Sequence, residues 1–230
     1  SQNVVLAANA LFTAGAGSIN FGGTIAGGFQ LNFDAGSGTT TFGSTVNGVT
    51  QISNPRTGLI TITGDQDTGL SNGIINHVGN VALAANTQFS SGTGLTSFGG
   101  TVNGAFNFDL VGGGNTTFSG AVGNNNAVAR LRNQRSGTST ISGNQTTAGG
   151  AAGILLYSGP VLLAGADRIF DSGVGDMTFA AINGGTFGMT LNQASNNGGN
   201  LPGATFLTGP LSNLGFFTNN RTGPTSLASD

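Results

Sequence analysis

The chain has 230 residues and a formal net charge of −2, and only 6% of its residues are charged. This weak charge excludes a nucleic-acid-binding protein or one drawn to anionic membranes, and the lack of cysteine excludes a disulfide framework or a Cys-ligated metal. The 43 glycines and the many Asn, Thr and Ser residues favour strands and turns, while 16 phenylalanines argue against disorder. No apolar run approaches the roughly 18 residues of a membrane-spanning helix, so no membrane insertion is expected.

The first predicted strands alternate between apolar and polar residues. Leu31 and Phe33 alternate with Gln30 and Asn32, and Phe29 precedes them with the same parity. A period of two indicates one buried and one exposed side of a strand. The pattern returns later in the chain, at Phe106, Phe108 and Leu110 and again at Phe187, Met189 and Leu191.

A short motif recurs along the chain at a regular interval. FGGTIAG at 21–27 is followed by FGSTVNG at 42–48, and FGGTVNG at 98–104 is followed by the looser FSGAVGN at 118–124. We interpret the aromatic residue as inward-pointing, the small pair as a bend, and the Asn-Gly step as a corner where positive φ costs little. The motif therefore predicts one circuit of a stacked structure.

A longer repeat lies over the short one. NVVLAAN at 3–9 returns as NVALAAN at 80–86 and as PVLLAGA at 160–166. Phe12, Phe89 and Phe170 keep the same order, and their positions differ by 77 (89 − 12) and 81 (170 − 89). The sequence therefore predicts three copies, at approximately 3–79, 80–159 and 160–230, each built from about four shorter units.

These two periods predict an all-β protein, a parallel β-solenoid of the right-handed β-helix type with about 20 residues per circuit. Residues 1–230 form one domain in this interpretation, a rod about 50 Å long at the usual strand spacing. Hairpin meanders or a barrel are the alternative, because Asn-Gly also marks hairpins, but they do not require both periods. The aromatic residues predicted to form the interior columns are Phe21, Phe42, Phe98, Phe118, Phe179, Phe29, Phe106 and Phe187.

With these repeats, the chain resembles the β-helical body of filamentous-haemagglutinin-like bacterial surface exoproteins. The resemblance lies in FGGTVNG (98–104), NVALAAN (80–86) and TTFSGAVGNNNAVARLRNQRSGTSTISG (116–143), and it covers nearly the whole chain. It implies a protein exported to the bacterial surface that serves as an adhesin or a surface fibre. The secretion domains of that class often carry an Asn-Pro-Asn-Gly-type motif, which NPRTG (54–58) only approaches. The resemblance therefore implies repeat body rather than a secretion signal.

Two groups of aspartates are the candidates for chemistry. Asp65 and Asp67 form the best local pair, and Asp167, Asp171 and Asp176 form the best cluster. A glycosidase needs paired carboxylates, and calcium prefers oxygen ligands, but Asp-x-Asp lacks the rest of an EF-hand loop. We interpret all five as solvated turn residues, with calcium binding as the weaker alternative, and we expect no cofactor.

The other charged residues are expected to be exposed. His77, the only histidine, is predicted to lie beside a turn in solvent. Asp34 and Asp109 have outward parity next to buried strand positions. The arginines at 130, 132 and 135 are predicted to form an outward-facing edge that discourages unwanted strand pairing.

Three classes of function remain open. The first is a non-catalytic extracellular structural protein, a shaft or subunit of a self-assembling bacterial surface fibre or adhesin. The second is a carbohydrate- or ice-binding solenoid, and the third is a polysaccharide-active enzyme, disfavoured by the absence of Glu and Lys. The partners expected are further copies of the chain, stacked head to tail through residues near 1–12 and 205–230, and surface glycans or host and neighbouring cell surfaces.

Overall fold

The computed structural model describes residues 2–69, 71–148, 153–192 and 202–227, and these residues form strands and turns without any helix. Within the same ranges no helix is long and apolar enough to cross a membrane. Every strand pair is parallel, and successive strands of the chain belong to different sheets. The chain therefore winds into a β-solenoid with three faces.

Each circuit contributes a strand to each face, except for one circuit that has only the bridging residue Val122 on the third face. The first face contains β1 (Val4–Val5), β4 (Ile25–Ala26), β7 (Val46–Asn47), β10 (Gln66–Asp67), β13 (Thr87–Ser90), β16 (Asn107–Val111), β18 (Arg130–Asn133), β21 (Leu155–Tyr157), β24 (Met177–Phe179), β27 (Thr205–Leu207) and β30 (Thr225–Leu227). The second face contains β2 (Ala10–Phe12), β5 (Gln30–Phe33), β8 (Gln51–Asn54), β11 (Ile74–His77), β14 (Thr96–Phe98), β17 (Thr116–Phe118), β19 (Ser139–Ile141), β22 (Val161–Leu163), β25 (Ile182–Asn183) and β28 (Leu211–Ser212). The third face contains β3 (Ile19–Phe21), β6 (Thr40–Phe42), β9 (Ile60–Ile62), β12 (Val81–Leu83) and β15 (Val102–Asn103), and then β20 (Gln145–Thr146), β23 (Arg168–Asp171), β26 (Met189–Leu191) and β29 (Phe217–Asn219). Val122 bridges the two halves of the third face by pairing with both Val102 and Gln145.

The strand register confirms the predicted solenoid. Val4 pairs with Ile25, and Ile25 pairs with Val46, so the residue number advances by 21 in each circuit here (25 − 4 and 46 − 25). Eleven strands on the first face, counted over the described residues, correspond to about ten turns. At about 4.8 Å per turn the rod is about 50 Å long.

The interior consists of side-chain columns that follow the register. Phe21 lies over Phe42 with the ring centroids 6.0 Å apart and nearly parallel. Phe98 lies over Phe118 at 5.7 Å, and Phe179 lies over Tyr157 at 5.9 Å. All of these rings are buried, which confirms the prediction for these five phenylalanines.

The prediction of a buried ring was wrong at Phe29 and Phe106, which are 38% and 36% exposed. Both precede the first residue of a strand, and Gly27 and Gly104 just before them have φ of 131° and 137°. The chain turns at these corners, so the strand's period of two does not extend back to them. Phe187, the matching residue of the third copy, is partly buried and packs against the core.

The three long copies begin on three different faces. The first copy begins with β1 on the first face, the second with β12 on the third face, and the third with β22 on the second face. The offset of 77 between the first two copies equals three circuits of 21 with a remainder of 14, which is two-thirds of a turn (77 − 63 = 14). The first two copies therefore make about three and two-thirds turns each, close to the expected number of about four short units. Matched residues lie about a third of a turn apart.

Candidate functional site

The first pair of aspartates lies on the outer side of the first face. Asp65 and Asp67 line a shallow groove of about 270 Å³ together with Asn47, Gln88 and Ser90. The Asp65 carboxylate accepts a hydrogen bond from the Gln88 backbone N–H at 2.8 Å, and Asp67 accepts one from the Gly69 N–H at 2.8 Å. Asp67 therefore caps its own turn, as expected of a turn residue, whereas Asp65 caps a backbone group of the next circuit.

The second group of aspartates is not brought together around one point. Asp167 accepts from the Gly188 N–H at 2.6 Å, Asp171 accepts from the Gly173 N–H at 2.9 Å, and Asp176 accepts from the Ala204 N–H at 2.8 Å. The prediction of a solvated side chain was wrong at Asp171, which is buried in β23. Within the described ranges no group of three or more His, Cys, Asp or Glu residues could hold a metal ion.

Two of these aspartates have the same role as asparagines elsewhere in the solenoid. Asn86 accepts from the backbone N–H of Asn107 at 2.9 Å, one circuit further along the chain, as Asp167 does from Gly188. Asn9 accepts from the backbone N–H of Gln30 in the same way. Asn144 accepts from the backbone N–H of a residue in the next circuit, as Asp65 does. An amide oxygen makes this bond as well as a carboxylate does, so the role is to join one circuit to the next.

We therefore expect Asp167→Asn to leave the free energy of unfolding within about 0.5 kcal/mol of the parent, because the accepting oxygen is kept. Asp167→Ala should lower it by about 1 kcal/mol through loss of the bond to Gly188. Urea denaturation with calcium and with a chelator measures both. A calcium site at Asp167 would instead show equal losses for the two variants and a chelator-dependent midpoint.

The prediction that His77 is exposed was wrong. His77 is fully buried in β11, and its Nε2 lies 2.8 Å from Oε1 of Gln66, which is also buried. The rings of Phe42, Phe89 and Phe98 surround it, with centroids 6.0–6.4 Å away. Desolvation by this burial lowers the pKa of His77 from 6.5 to about 3, so the ring is neutral near pH 7.

Asp109 was also predicted to be exposed, and it is largely covered by two arginines. Arg130 donates to its carboxylate from Nε at 3.2 Å and from Nη2 at 2.6 Å, and Arg132 donates from Nε at 3.1 Å and from Nη2 at 3.2 Å. Desolvation raises the pKa of Asp109, but these hydrogen bonds and charges outweigh it and the pKa is lowered overall. Arg130 and Arg132 do face outward, and they join β18 to Asp109 of β16.

Arg135 does not belong to that outward-facing edge, because it is fully buried, like Arg56, while Arg221 is nearly so. The guanidinium of Arg135 donates to the carbonyls of Gly114 and Val111, both at 3.0 Å, and to Oγ of Ser91 at 2.7 Å. These partners are uncharged, and desolvation lowers the pKa of Arg135 to about 10, so it remains a cation near pH 7. Arg56 instead pairs with the carboxylate of Asp34, which is therefore not the free, exposed acid predicted.

The sequence contains a signal for these buried arginines that single positions do not reveal. Asn-x-Arg-Ser/Thr-Gly occurs at 54–58, 133–137 and 219–223, once in each long copy. Comparing the three copies reveals this motif, whereas Arg56 alone suggests part of a secretion-like motif and Arg135 alone suggests part of a surface edge.

The chain matches no protein-family model, no curated protein and no solved structure.

Proposed function

We propose that the protein is a non-catalytic structural protein, the β-helical shaft or a subunit of a self-assembling fibre or adhesin on the outside of a bacterial cell. The single observation that supports this proposal best is the use of charged side chains to join circuits. Asp109 holds two arginines of the next circuit, and Asp65 and Asp167 cap backbone groups of the circuits that follow them. Contacts of this kind resist separation of the turns along the rod axis.

The strands at the two ends of the rod suggest how such a shaft lengthens. Among the described residues, β1 and β30 each pair with a strand on one side only, and Val5 and Leu227 on them are 76% and 68% exposed. Unpaired strand edges bind other strands readily, so we propose that a second copy stacks end to end on them. Of the proposed contact residues, Ser1 and residues 228–230 lie outside the described part of the chain.

Electron microscopy and sedimentation of the purified protein test the proposal. We expect rods about 50 Å long at low concentration, and longer fibres of the same width as the concentration rises. Replacing Val5 by Lys on the edge strand β1 should shorten the fibres, whereas Thr61→Lys serves as a control for added charge, because it lies on the outer side of β9, which pairs with a strand on each side. A monomer that persists at high concentration would contradict end-to-end assembly.

A binding module is the second candidate, favoured by the outer side of the second face. Six uncharged polar residues lie in register there on consecutive strands, with parallel pairing between neighbours: Asn32, Ser53, Asn76, Ser97, Thr117 and Thr140. Such a flat column can order water or bind the hydroxyls of a glycan. Measurements of thermal hysteresis and of glycan binding distinguish a binding module from a purely structural shaft. Asn76→Lys should abolish the binding activity while leaving fibre length unchanged.

A further inference from the structure

The buried arginines share one arrangement in all three copies. In each Asn-x-Arg-Ser/Thr-Gly motif the asparagine side chain accepts from the backbone N–H of the arginine, at 3.3 Å for Asn54, 3.2 Å for Asn133 and 3.1 Å for Asn219. This bond fixes the turn from which the arginine side chain runs back towards earlier circuits.

Each guanidinium then bonds carbonyls of two earlier circuits. In the second copy, Nε of Arg135 donates to Gly114, one circuit back, at 3.0 Å, and its Nη2 donates to Gly94, two circuits back. The other two arginines make the same pair of hydrogen bonds. Arg56 donates to the carbonyls of Gly38 and Gly17. Arg221 donates to the carbonyls of Gly203 and Gly175. We call each set of an arginine and its two glycines an arginine clamp.

The nearer glycine of each clamp has no room for a side chain beside the guanidinium. A Cβ at Gly114 would lie 2.6 Å from Nη2 of Arg135, and one at Gly38 would lie 2.5 Å from Nη2 of Arg56. A side chain at either position would therefore clash with the arginine and, more closely, with the backbone carbonyl of the preceding circuit, at 1.9 Å for Gly114 and 1.8 Å for Gly38. The earlier circuits thus supply a cage of backbone carbonyls whose shape fits a planar group with five N–H donors.

The cage holds its cation with or without a carboxylate. Asp34 of the first copy is matched by Val111 in the second copy and by Asn192 in the third (111 − 34 = 77, 192 − 111 = 81). Asp34 pairs with Arg56, the Val111 carbonyl accepts from Arg135, and the Asn192 amide accepts from Arg221. The shared feature is the set of carbonyls, so we infer that the carbonyls themselves form the binding site.

We propose that each pair of glycine corners is a guanidinium-binding site, and that the arginine of the third circuit fills it and clamps three consecutive circuits together. The first clamp lies between the second and third faces, the second between the first and second faces, and the third between the third and first faces. This distribution follows from the advance of three and two-thirds turns per copy. Each edge of the rod therefore has one clamp, which joins three consecutive circuits along that edge.

Hydrogen exchange of Arg135→Ala, with Arg132→Ala as the matched control, tests the site. We expect the amides of Gly94 and Gly113 to exchange about tenfold faster or more in Arg135→Ala, because hydrogen bonds to a charged group are lost. Arg132→Ala should leave both amides unchanged, since Arg132 bonds Asp109 on the outer side. Ethylguanidinium at millimolar concentration should restore slow exchange in Arg135→Ala, and ethylammonium should not.

Equal effects of the two cations, or unchanged exchange in Arg135→Ala, would overturn the proposal. If Arg135→Ala does not fold, the intact protein supplies a second measurement. The Nε–H protons of Arg56, Arg135 and Arg221 should exchange slowly with water. Those of Arg130 and Arg132 should exchange faster, because their side chains are 28% and 33% exposed. Equally fast exchange of all five would also overturn it.

Discussion

Replacing Phe98 by Ala is expected to lower the free energy of unfolding by about 3–5 kcal/mol. Phe98 is fully buried, and its ring contacts Phe89, Phe108 and Phe118 with centroids 5.2–5.7 Å away. Phe89 belongs to the same circuit, and Phe108 and Phe118 belong to the next one, so the cavity removes packing from two neighbouring turns at once. Urea denaturation measures the loss, and amide exchange should increase at Phe89 and Phe108 as well as at position 98.

Phe106→Ala is the matched control for that variant. Both phenylalanines lie in the second copy and both were predicted to be buried, but Phe106 lies at a corner and is 36% exposed. Its truncation removes part of an apolar contact without leaving a closed cavity, so we expect a loss of about 1–2 kcal/mol. Equal losses for the two variants would show that the corner ring packs as deeply as the column.

The period of two predicts side-chain direction only where the chain is extended. Within β5 it correctly assigned Leu31 and Phe33 to the interior. One residue before the strand, at Phe29, it was wrong because the corner rotates the backbone and no local signal marks where the rotation stops. Corner positions therefore need the strand boundaries, which follow from pairing with neighbouring circuits and not from the local sequence.

Residues at matched positions of the long copies do not lie on the same face of the solenoid. Phe21, Phe98 and Phe179 occupy matched positions and are all buried, as predicted. They lie on the third, second and first faces, however, because the offset of 77 is not a whole multiple of the circuit length. The two periods were both readable from the sequence, so their ratio could have been used to predict the rotation.

The burial of the polar residues was not predicted, for a different reason. Isolated His, Arg and Asp residues are exposed in most proteins, and that general tendency was applied to His77 and Arg135. The parity of β11 already indicated otherwise for His77, since Ile75 and His77 share a side of the strand. For Arg135 the deciding partners lie up to 44 residues earlier, and only the circuit register brings them together.

Lowering the pH from about 6.5 to about 4 is expected to lower the free energy of unfolding by roughly 3 kcal/mol because of His77 alone. The pKa of His77 is about 3 in the folded protein and 6.5 in an exposed chain. Between these values the unfolded chain binds a proton that the folded protein excludes, so stability rises with pH and is lost as the pH falls. Each pH unit in this window corresponds to about 1.4 kcal/mol.

The two aspartates with shifted pKa values act below this window. Asp34 and Asp109 have pKa values lowered from 3.8 in the folded protein, so the stability that they contribute is present above about pH 4 and is lost below it. His77 is the only histidine of the chain. The slope of stability against pH between 6.5 and 4.5 therefore reports on one buried ring.

The double variant Gln66→Leu with His77→Phe should remove that slope. Replacing both members of the hydrogen-bonded pair avoids leaving the Gln66 amide without its partner, and a phenyl ring at 77 continues the column formed by Phe98 and Phe118. Urea denaturation at half-unit pH steps should give a midpoint that stays constant from pH 6.5 to 4.5 in the double variant and declines in the parent chain. A parent midpoint that stays constant over the same range would mean that water or a conformational opening reaches His77, contrary to its burial. The same decline in both proteins would place the titrating group elsewhere in the chain.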